Sequence, residues 1–297
     1  MKRPFGKTGL EVSILGFGAG HVGGDDLSED QAGELLNAVL DLGVTLIDTA
    51  RGYGLSEERI GRHLAHRRDD FVLSTKGGYG VDGVPDWTGE VIQRGIEQAL
   101  QTMRTDRIDI FHLHSCPLET LQHEDILSAL EEAKRQGQIR CIAYSGENDA
   151  LEWAASSGRF DSLQCSVNLF DQRSLWGVLQ GAQDLSVIAK RPIANAAWRF
   201  GDQPHGQYAE PYWQRMKAMN LEPNLGPNLG PNMDWLELAI RFSAFAPGVS
   251  SIIIGTGKLQ NFKHNLELVA RGPLSDDEVQ RWRTAFEIHD QDWIGQV

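Results

Sequence analysis

Short apolar runs alternate with amphipathic stretches along most of the chain. The first run is Ile14 to Phe17, and the stretch from Ser28 to Leu42 that follows has Ser28 in N-cap position. Thr45 to Ile47 precedes a helical pattern from Ser56 to His66. Asp70 to Ser74 precedes one from Thr88 to Met103, and Ile108 to Leu113 precedes one from Leu121 to Arg135. Ile139 to Tyr144 is followed by a short helix near Asp149 to Ser156. Ser162 to Val167 and Ser186 to Ala189 read as strands, Asp234 to Ala244 as a helix, and Ser251 to Ile254 as the last strand.

About eight strand–helix units result, the number that closes a parallel barrel. Parallel neighbours need crossovers, and helices supply them. An open doubly wound sheet is the rival. It usually carries G-x-G-x-x-G after its first strand, whereas Gly16-Phe17-Gly18-Ala19-Gly20 lacks the final glycine in register. The pattern therefore predicts an α/β fold, a (β/α)8 TIM barrel forming a single domain over residues 1–297. Phe5 and Glu11 to Ser13, around the turn Lys7-Thr8-Gly9, predict an N-terminal β-hairpin that plugs the barrel bottom. Ser275 to His289 predicts a closing C-terminal helix. Residues 200–232 break the rhythm with the tandem repeat Asn224-Leu225-Gly226-Pro227-Asn228-Leu229-Gly230-Pro231. Such dense Pro and Gly predict a long loop, either a surface insertion or a lid over the site.

Composition narrows the function. Hydrophobic residues make up 41% and charged residues 23%, an ordinary globular balance. The formal net charge of -13 disfavours nucleic acid as a partner, since phosphate-backbone binding needs clustered Lys and Arg. A small anionic cofactor stays compatible, because local N–H groups and one or two cations suffice. No apolar h-region follows Met1-Lys2-Arg3, and no run is long enough to span a membrane. Three cysteines, Cys116, Cys141 and Cys165, suit free thiols in a reducing compartment, so a cytoplasmic location is expected.

Barrel chemistry sits at the C-terminal ends of the strands. Asp48, Arg51 and Tyr53 follow the second run, Lys76 closes the third, and His112, His114 and Cys116 follow the fourth. A buried lysine needs an anionic partner, which Asp48 on the neighbouring strand can be. A nearby ammonium would stabilise tyrosinate and make Tyr53 the better acid. His114 is placed to orient a substrate oxygen. His112 and His114 share a strand face, but zinc needs three or four ligands, and His21 is the only other well-placed imidazole. No metal is expected, and a Cys116–His114 nucleophile pair has no specific geometry.

Asp48-Thr49-Ala50-Arg51-Gly52-Tyr53-Gly54-Leu55-Ser56-Glu57 resembles the D-T-A-x-x-Y-G-x-S-E signature of the aldo-keto reductases. Ser74-Thr75-Lys76 resembles the strand bearing their lysine, and Asp109 to His114 the strand ending in their histidine. The similarity runs from Arg3-Pro4-Phe5-Gly6 to Gly255-Thr256-Gly257-Lys258. The resemblance implies a barrel that uses NAD(P)(H) to transfer hydride to or from a carbonyl, alcohol or sugar. It implies Tyr53 as general acid, Lys76 and Asp48 as its tuning pair, and His114 as the carbonyl-orienting residue. On the cofactor side it implies Ser145 and Gln164 at the carboxamide and Arg191 along the pyrophosphate. Gly255, Thr256, Gly257, Lys258, Asn261 and Asn265 fall to the adenosine phosphate end. Two departures stand out: Gly146 replaces an asparagine, and the arginine that many NADPH-preferring members carry at the place of Gly257 or Asn261 is missing. Lys258 is left to meet a 2′-phosphate, so NADP is expected, with NAD possible. Arg51, Trp87 and Trp198 are the expected substrate contacts, with Phe200, Tyr208, Tyr212 and Trp213 as further wall candidates. A non-catalytic cofactor sensor is the competing reading.

Overall fold

In the computed structural model each of the eight apolar runs is a parallel strand of one closed barrel, and residues 1–182, 184–223 and 233–297 are described. The barrel strands are β3 (Leu15–Gly18), β4 (Leu46–Asp48), β5 (Val72–Gly77), β6 (Ile108–His114), β7 (Ile139–Ser145), β8 (Ser162–Ser166), β9 (Ser186–Lys190) and β10 (Val249–Ile254). They follow one another around the ring in chain order, and β10 closes onto β3. Closure excludes the open doubly wound sheet.

Several helix starts are set by short polar side chains. Ser28 and Gln31 form a capping box at Glu29–Asp41. Thr88 caps Gly89–Thr102, Asp234 caps Trp235–Ala244, and Ser275 caps the C-terminal helix Asp276–His289. Each accepts a first-turn N–H that would otherwise lack a partner.

The N-terminal hairpin pairs β1 (Lys2–Phe5) with β2 (Leu10–Ser13). Phe5, Leu10 and Val12 pack against Leu46, Val72, Ile110, Cys141, Ala143 and Ile188. Leu46 and Val72 are the first residues of their strands, so the hairpin seals the N-terminal end and leaves the opposite mouth for chemistry.

Two expectations need correction. The helical pattern Ser56 to His66 is α-helical only to Leu64 and then tightens into a 3-10 stretch, Ala65–Asp70. The long loop expected over 200–232 contains a helix, Glu210–Met219. Pro211 stands in its first turn, where a missing N–H costs nothing, and Asn220 ends it in left-handed conformation. The tandem repeat from 224, and with it the lid, lies outside the described residues.

Phe5 is fully buried in the plug. Phe5→Ala should lower unfolding free energy by about 3–5 kcal/mol in a urea titration. A loss under about 1 kcal/mol would mean the barrel closes without its plug.

Candidate active site

β4, β5 and β6 end side by side, with Asp48 in register with Ser74 and Lys76 with His112. Asp48 is 1% exposed and Lys76 2%. Lys76 Nζ donates to Asp48 Oδ2 at 2.6 Å and to the Thr49 carbonyl at 2.7 Å. The other carboxylate oxygen accepts from Ser74 Oγ at 2.7 Å and Gln164 Nε2 at 3.0 Å. Burial pushes the ammonium toward neutrality. The Asp48 carboxylate and Tyr53 outweigh that and hold the Lys76 pKa above the ordinary lysine value. The half-buried Tyr53 ring lies 5.1 Å from Nζ and 6.0 Å, edge-on, from the His114 ring.

His114 closes β6, in register with Ser145. Its Nδ1 is 2.7 Å from the Tyr79 hydroxyl. Burial, then the Lys76 and Lys190 charges, lower its pKa to about 3, so the ring is neutral near pH 7. His112 is fully buried, with Nε2 3.1 Å from Ser74 Oγ. Among the described residues no three His, Cys, Asp or Glu side chains converge on a metal position. Burial pushes the Cys116 thiol up to about 12, which leaves it protonated and removes the Cys116–His114 nucleophile reading.

Beside this cluster a cavity of about 1240 Å³ opens along the loops after β9 and β10. Arg191, Gly255, Thr256, Gly257, Lys258, Asn261 and Asn265 all line it. Helix Leu259–Ala270 begins there with no side-chain cap, which leaves first-turn N–H groups for an anion. At the ends of β3 and β10 the chains nearly touch: a Cβ on Gly255 would stand 2.7 Å from the Gly18 carbonyl. Arg191, Ala194, Asn195 and Ala196 take left-handed backbone, with φ of 53°, 45°, 51° and 53°. Asn168 Nδ2 holds the Arg191 carbonyl at 3.1 Å, and Asn195 Nδ2 reaches the Tyr208 carbonyl at 2.8 Å. Strain of this kind collects at binding sites. Arg191 itself donates to Ser166 Oγ at 3.1 Å and to the Gln296 carbonyl and stands 3.8 Å from Glu147, so Lys258 and the uncapped N–H groups are what this cavity leaves to fit the phosphates of a dinucleotide.

Ser145 and Gln164 lie outside that cavity. Ser145 Oγ donates to Gln164 Oε1 at 3.0 Å, and Gln164 in turn donates to Asp48, so both belong to the network beneath the ion pair. A Cβ at Gly146 would stand 2.2 Å from the Tyr144 hydroxyl, which donates to the Cys116 carbonyl at 2.9 Å. Tyr144 thus fills the space an asparagine at 146 would need.

The aldo/keto reductase family profile matches residues 14–287. The chain belongs to the aldo/keto reductase family. Among curated proteins it is 25% identical over 294 residues to the uncharacterized oxidoreductase YqkF of Bacillus subtilis, covering 94% of each chain. It is 27% identical over 304 residues to a D-threo-aldose 1-dehydrogenase of a Pseudomonas species, covering 89% of this chain and 91% of that one. Among solved structures, the holo form of aldo-keto reductase AKR11C1 from Bacillus halodurans superposes with a TM-score of 0.79 at 26% identity, over 96% and 95% of the two chains. This aldo/keto reductase is an oxidoreductase that acts on carbonyl or alcohol groups of small molecules with a nicotinamide cofactor. No helix among its described residues is long and apolar enough to cross a membrane.

The signature loop of the reductase is a brace for Tyr53. Thr49 Oγ1 donates to Ser56 Oγ at 2.7 Å, Ser56 Oγ donates to the Ala19 carbonyl at 2.9 Å, and Thr75 Oγ1 donates to Glu57 at 2.6 Å. Arg51 is committed to the Gly80 carbonyl at 2.8 Å and Gln98 at 2.6 Å. Trp87 packs 5.9 Å from the Tyr79 ring. Trp198 stacks on Trp235 at 5.7 Å and does not line the cavity. Phe200 and Tyr208 do line it, and Trp213 Nε1 donates to the Phe200 carbonyl at 3.0 Å. Tyr212 is fully buried, its hydroxyl 3.3 Å from Asp171, so it is core and not pocket wall. Sequence reasoning missed Ser74 and Tyr79. Both flank Lys76 closely, and the Gly77-Gly78 pair marks the turn that delivers Tyr79.

An ordinary histidine gains its proton near pH 6.5 in an unfolded chain, whereas folded His114 resists protonation to about 3. Its contribution to stability is complete above about pH 6.5. It is lost as pH falls toward 3, at up to about 1.4 kcal/mol per pH unit. His114→Asn should flatten the urea midpoint as a function of pH below about 6.5. Parallel curves for the two proteins would show that His114 titrates normally.

Proposed function

We propose that this aldo/keto reductase transfers hydride between NADP(H) and an aldehyde, ketone or sugar, with Tyr53 as general acid in reduction and its tyrosinate as base in oxidation. NAD(H) is the weaker alternative cofactor. The observation that carries the reading is the Lys76 ammonium, fixed by Asp48 and Thr49, 5.1 Å from the Tyr53 ring and within a cluster that includes a neutral His114.

When bound, the nicotinamide supplies or accepts the hydride. The rest falls to side chains. Tyr53 gives its proton to the carbonyl oxygen as that oxygen gains charge. The Lys76 ammonium faces the charge left on the phenol oxygen, a fixed electrostatic contribution that needs no reorganisation. The neutral His114 donates a hydrogen bond to the substrate oxygen and orients the carbonyl. Asp48 keeps Lys76 charged and in place, and Ser74 and Gln164 keep Asp48 in place. Oxidation of an alcohol or sugar hemiacetal follows the same path reversed. The kinship with a D-threo-aldose 1-dehydrogenase supports sugars within the substrate class.

Arg191, Lys258 and the uncapped helix start support binding of the cofactor phosphates, with Asn261, Asn265 and Thr256 as neutral partners. Lys258 makes no ion pair among the described residues and meets a 2′-phosphate as a point charge. All three cysteines are free and buried, which supports a reducing, cytoplasmic setting. Residues 1–297 are read as one barrel domain.

Tyr53→Phe should lower kcat by about 10²- to 10⁴-fold while a fluorescence titration shows the cofactor still binding. Near-normal turnover would remove Tyr53 as the acid, and binding without turnover in the unaltered enzyme on every aldehyde, ketone and sugar tried would favour a cofactor sensor. Lys258→Ala should weaken NADPH by about tenfold, the loss of roughly one charge-assisted contact, and leave NADH almost unchanged. Equal loss for both would remove the preference for NADP.

A further inference from the structure

We propose that Tyr79 is a positioning residue that fixes the tautomer and tilt of His114, and so decides which imidazole nitrogen meets the substrate oxygen. The proposal rests on the reading of His114 as the carbonyl-orienting group.

Tyr79 reaches His114 because of the turn that follows β5. Gly78 and Gly80 take φ of 122° and 71°, conformations that side-chain-bearing residues rarely adopt. A Cβ at Gly78 would also stand 2.2 Å from the Trp87 ring. The tyrosine ring is then held on two sides of its chemistry. Trp87 packs against it at 5.9 Å, and the imidazole lies nearly parallel to it, 29° between planes and 5.8 Å between centroids. The hydroxyl is 2.7 Å from His114 Nδ1.

The direction of that hydrogen bond follows from what else touches the hydroxyl. Gly52 lies against the phenol oxygen. A Cβ on Gly52 would stand 2.9 Å from the same oxygen, so the approach is open only to glycine. A phenol has a single proton to give. Burial, with Tyr53 nearby, holds the Tyr79 pKa above its ordinary value, so that proton stays on at neutral pH. His114 Nδ1 is the only hydrogen-bond partner of this hydroxyl among the described residues, so the Tyr79 proton points to Nδ1. A neutral imidazole that accepts at Nδ1 carries its own hydrogen on Nε2. Nε2 has no hydrogen-bond partner among the described residues, which leaves it as the donor for an incoming carbonyl oxygen. The opposite tautomer would present a lone pair to that oxygen and repel it.

The neighbours keep the ring in this state. Burial first, then the Lys76 and Lys190 charges, disfavour a second proton, and Asp48 opposes them without prevailing. His114 therefore offers one N–H, and Tyr79 selects which.

The test uses 15N-histidine-labelled enzyme, with the His114 resonances assigned by loss in His114→Asn. The unaltered protein should show the Nε2–H tautomer. Tyr79→Phe keeps the ring and its packing, and should shift His114 to a mixture of tautomers. With a reactive aromatic aldehyde as carbonyl probe, the same variant should lose about tenfold or more in kcat/KM, while the cofactor dissociation constant stays within twofold. An Nδ1–H tautomer in the unaltered enzyme overturns the proposal, whatever the variant does. So does a Tyr79→Phe enzyme with unchanged tautomer and kcat/KM. If His114→Asn leaves kcat/KM unchanged, the orienting role of His114 fails instead. If His114→Asn is impaired and Tyr79→Phe is not, the role of Tyr79 alone fails.

Discussion

Two opposite charges buried at the ends of neighbouring strands set the terms for the rest of the molecule. Taking Asp48 and Lys76 out of water costs several kcal/mol per ion. The attraction between them offsets that only when their remaining hydrogen-bonding capacity is met. Thr49, Ser74 and Gln164 meet it, and Ser145 holds Gln164 in turn. The network therefore ties together the ends of β4, β5, β7 and β8. The signature loop, stitched by Thr49, Ser56 and Glu57, then presents Tyr53 to an ammonium that has no freedom to leave.

The barrel mouth divides its labour by charge. The ionisable side chains Asp48, Tyr53, Lys76 and His114 collect over β4 to β6. Cations and uncapped N–H groups collect over β9 and β10. Between the two lies a second buried ionic group, in which Glu147 accepts from Ser166 at 2.8 Å and pairs with Lys190 at 3.3 Å. A net charge of -13 leaves room for an anionic cofactor, because the cations that line this cavity act locally, whatever the sign of the distant field.

Much of this was legible in the chain, and the errors share a cause. The eight strands were readable as apolar runs, but β5, β6, β7 and β9 extend past the apolar part by polar residues. Lys76, His114, Ser145 and Lys190 are those extensions. A strand that carries chemistry ends in side chains that look like a loop, so periodicity stops short at the very residues that matter. The signature motif recovered Asp48 and Tyr53 because their spacing is local. Tyr79 was not recoverable in the same way, because its partner His114 lies 35 residues further on. Nor did spacing distinguish Trp198 and Tyr212 from pocket wall: stacking on Trp235 and bonding to Asp171 are contacts between distant segments. Helix Glu210–Met219 was hidden by a loop drawn back to 200 from the Gly-Pro repeat, which begins only at 224.

The crowding of Gly146 by Tyr144 has a further consequence. The added Cβ would meet the hydroxyl at 2.2 Å and the ring carbon behind it at 2.4 Å, so removing the hydroxyl alone does not clear the space. A larger residue can enter 146 only after residue 144 has become smaller. The two positions thus form an ordered pair on any mutational path: the tyrosine must yield first, and the glycine second. A library that diversifies 146 alone samples only blocked sequences. One that opens 144 beforehand gains the space its ring now fills.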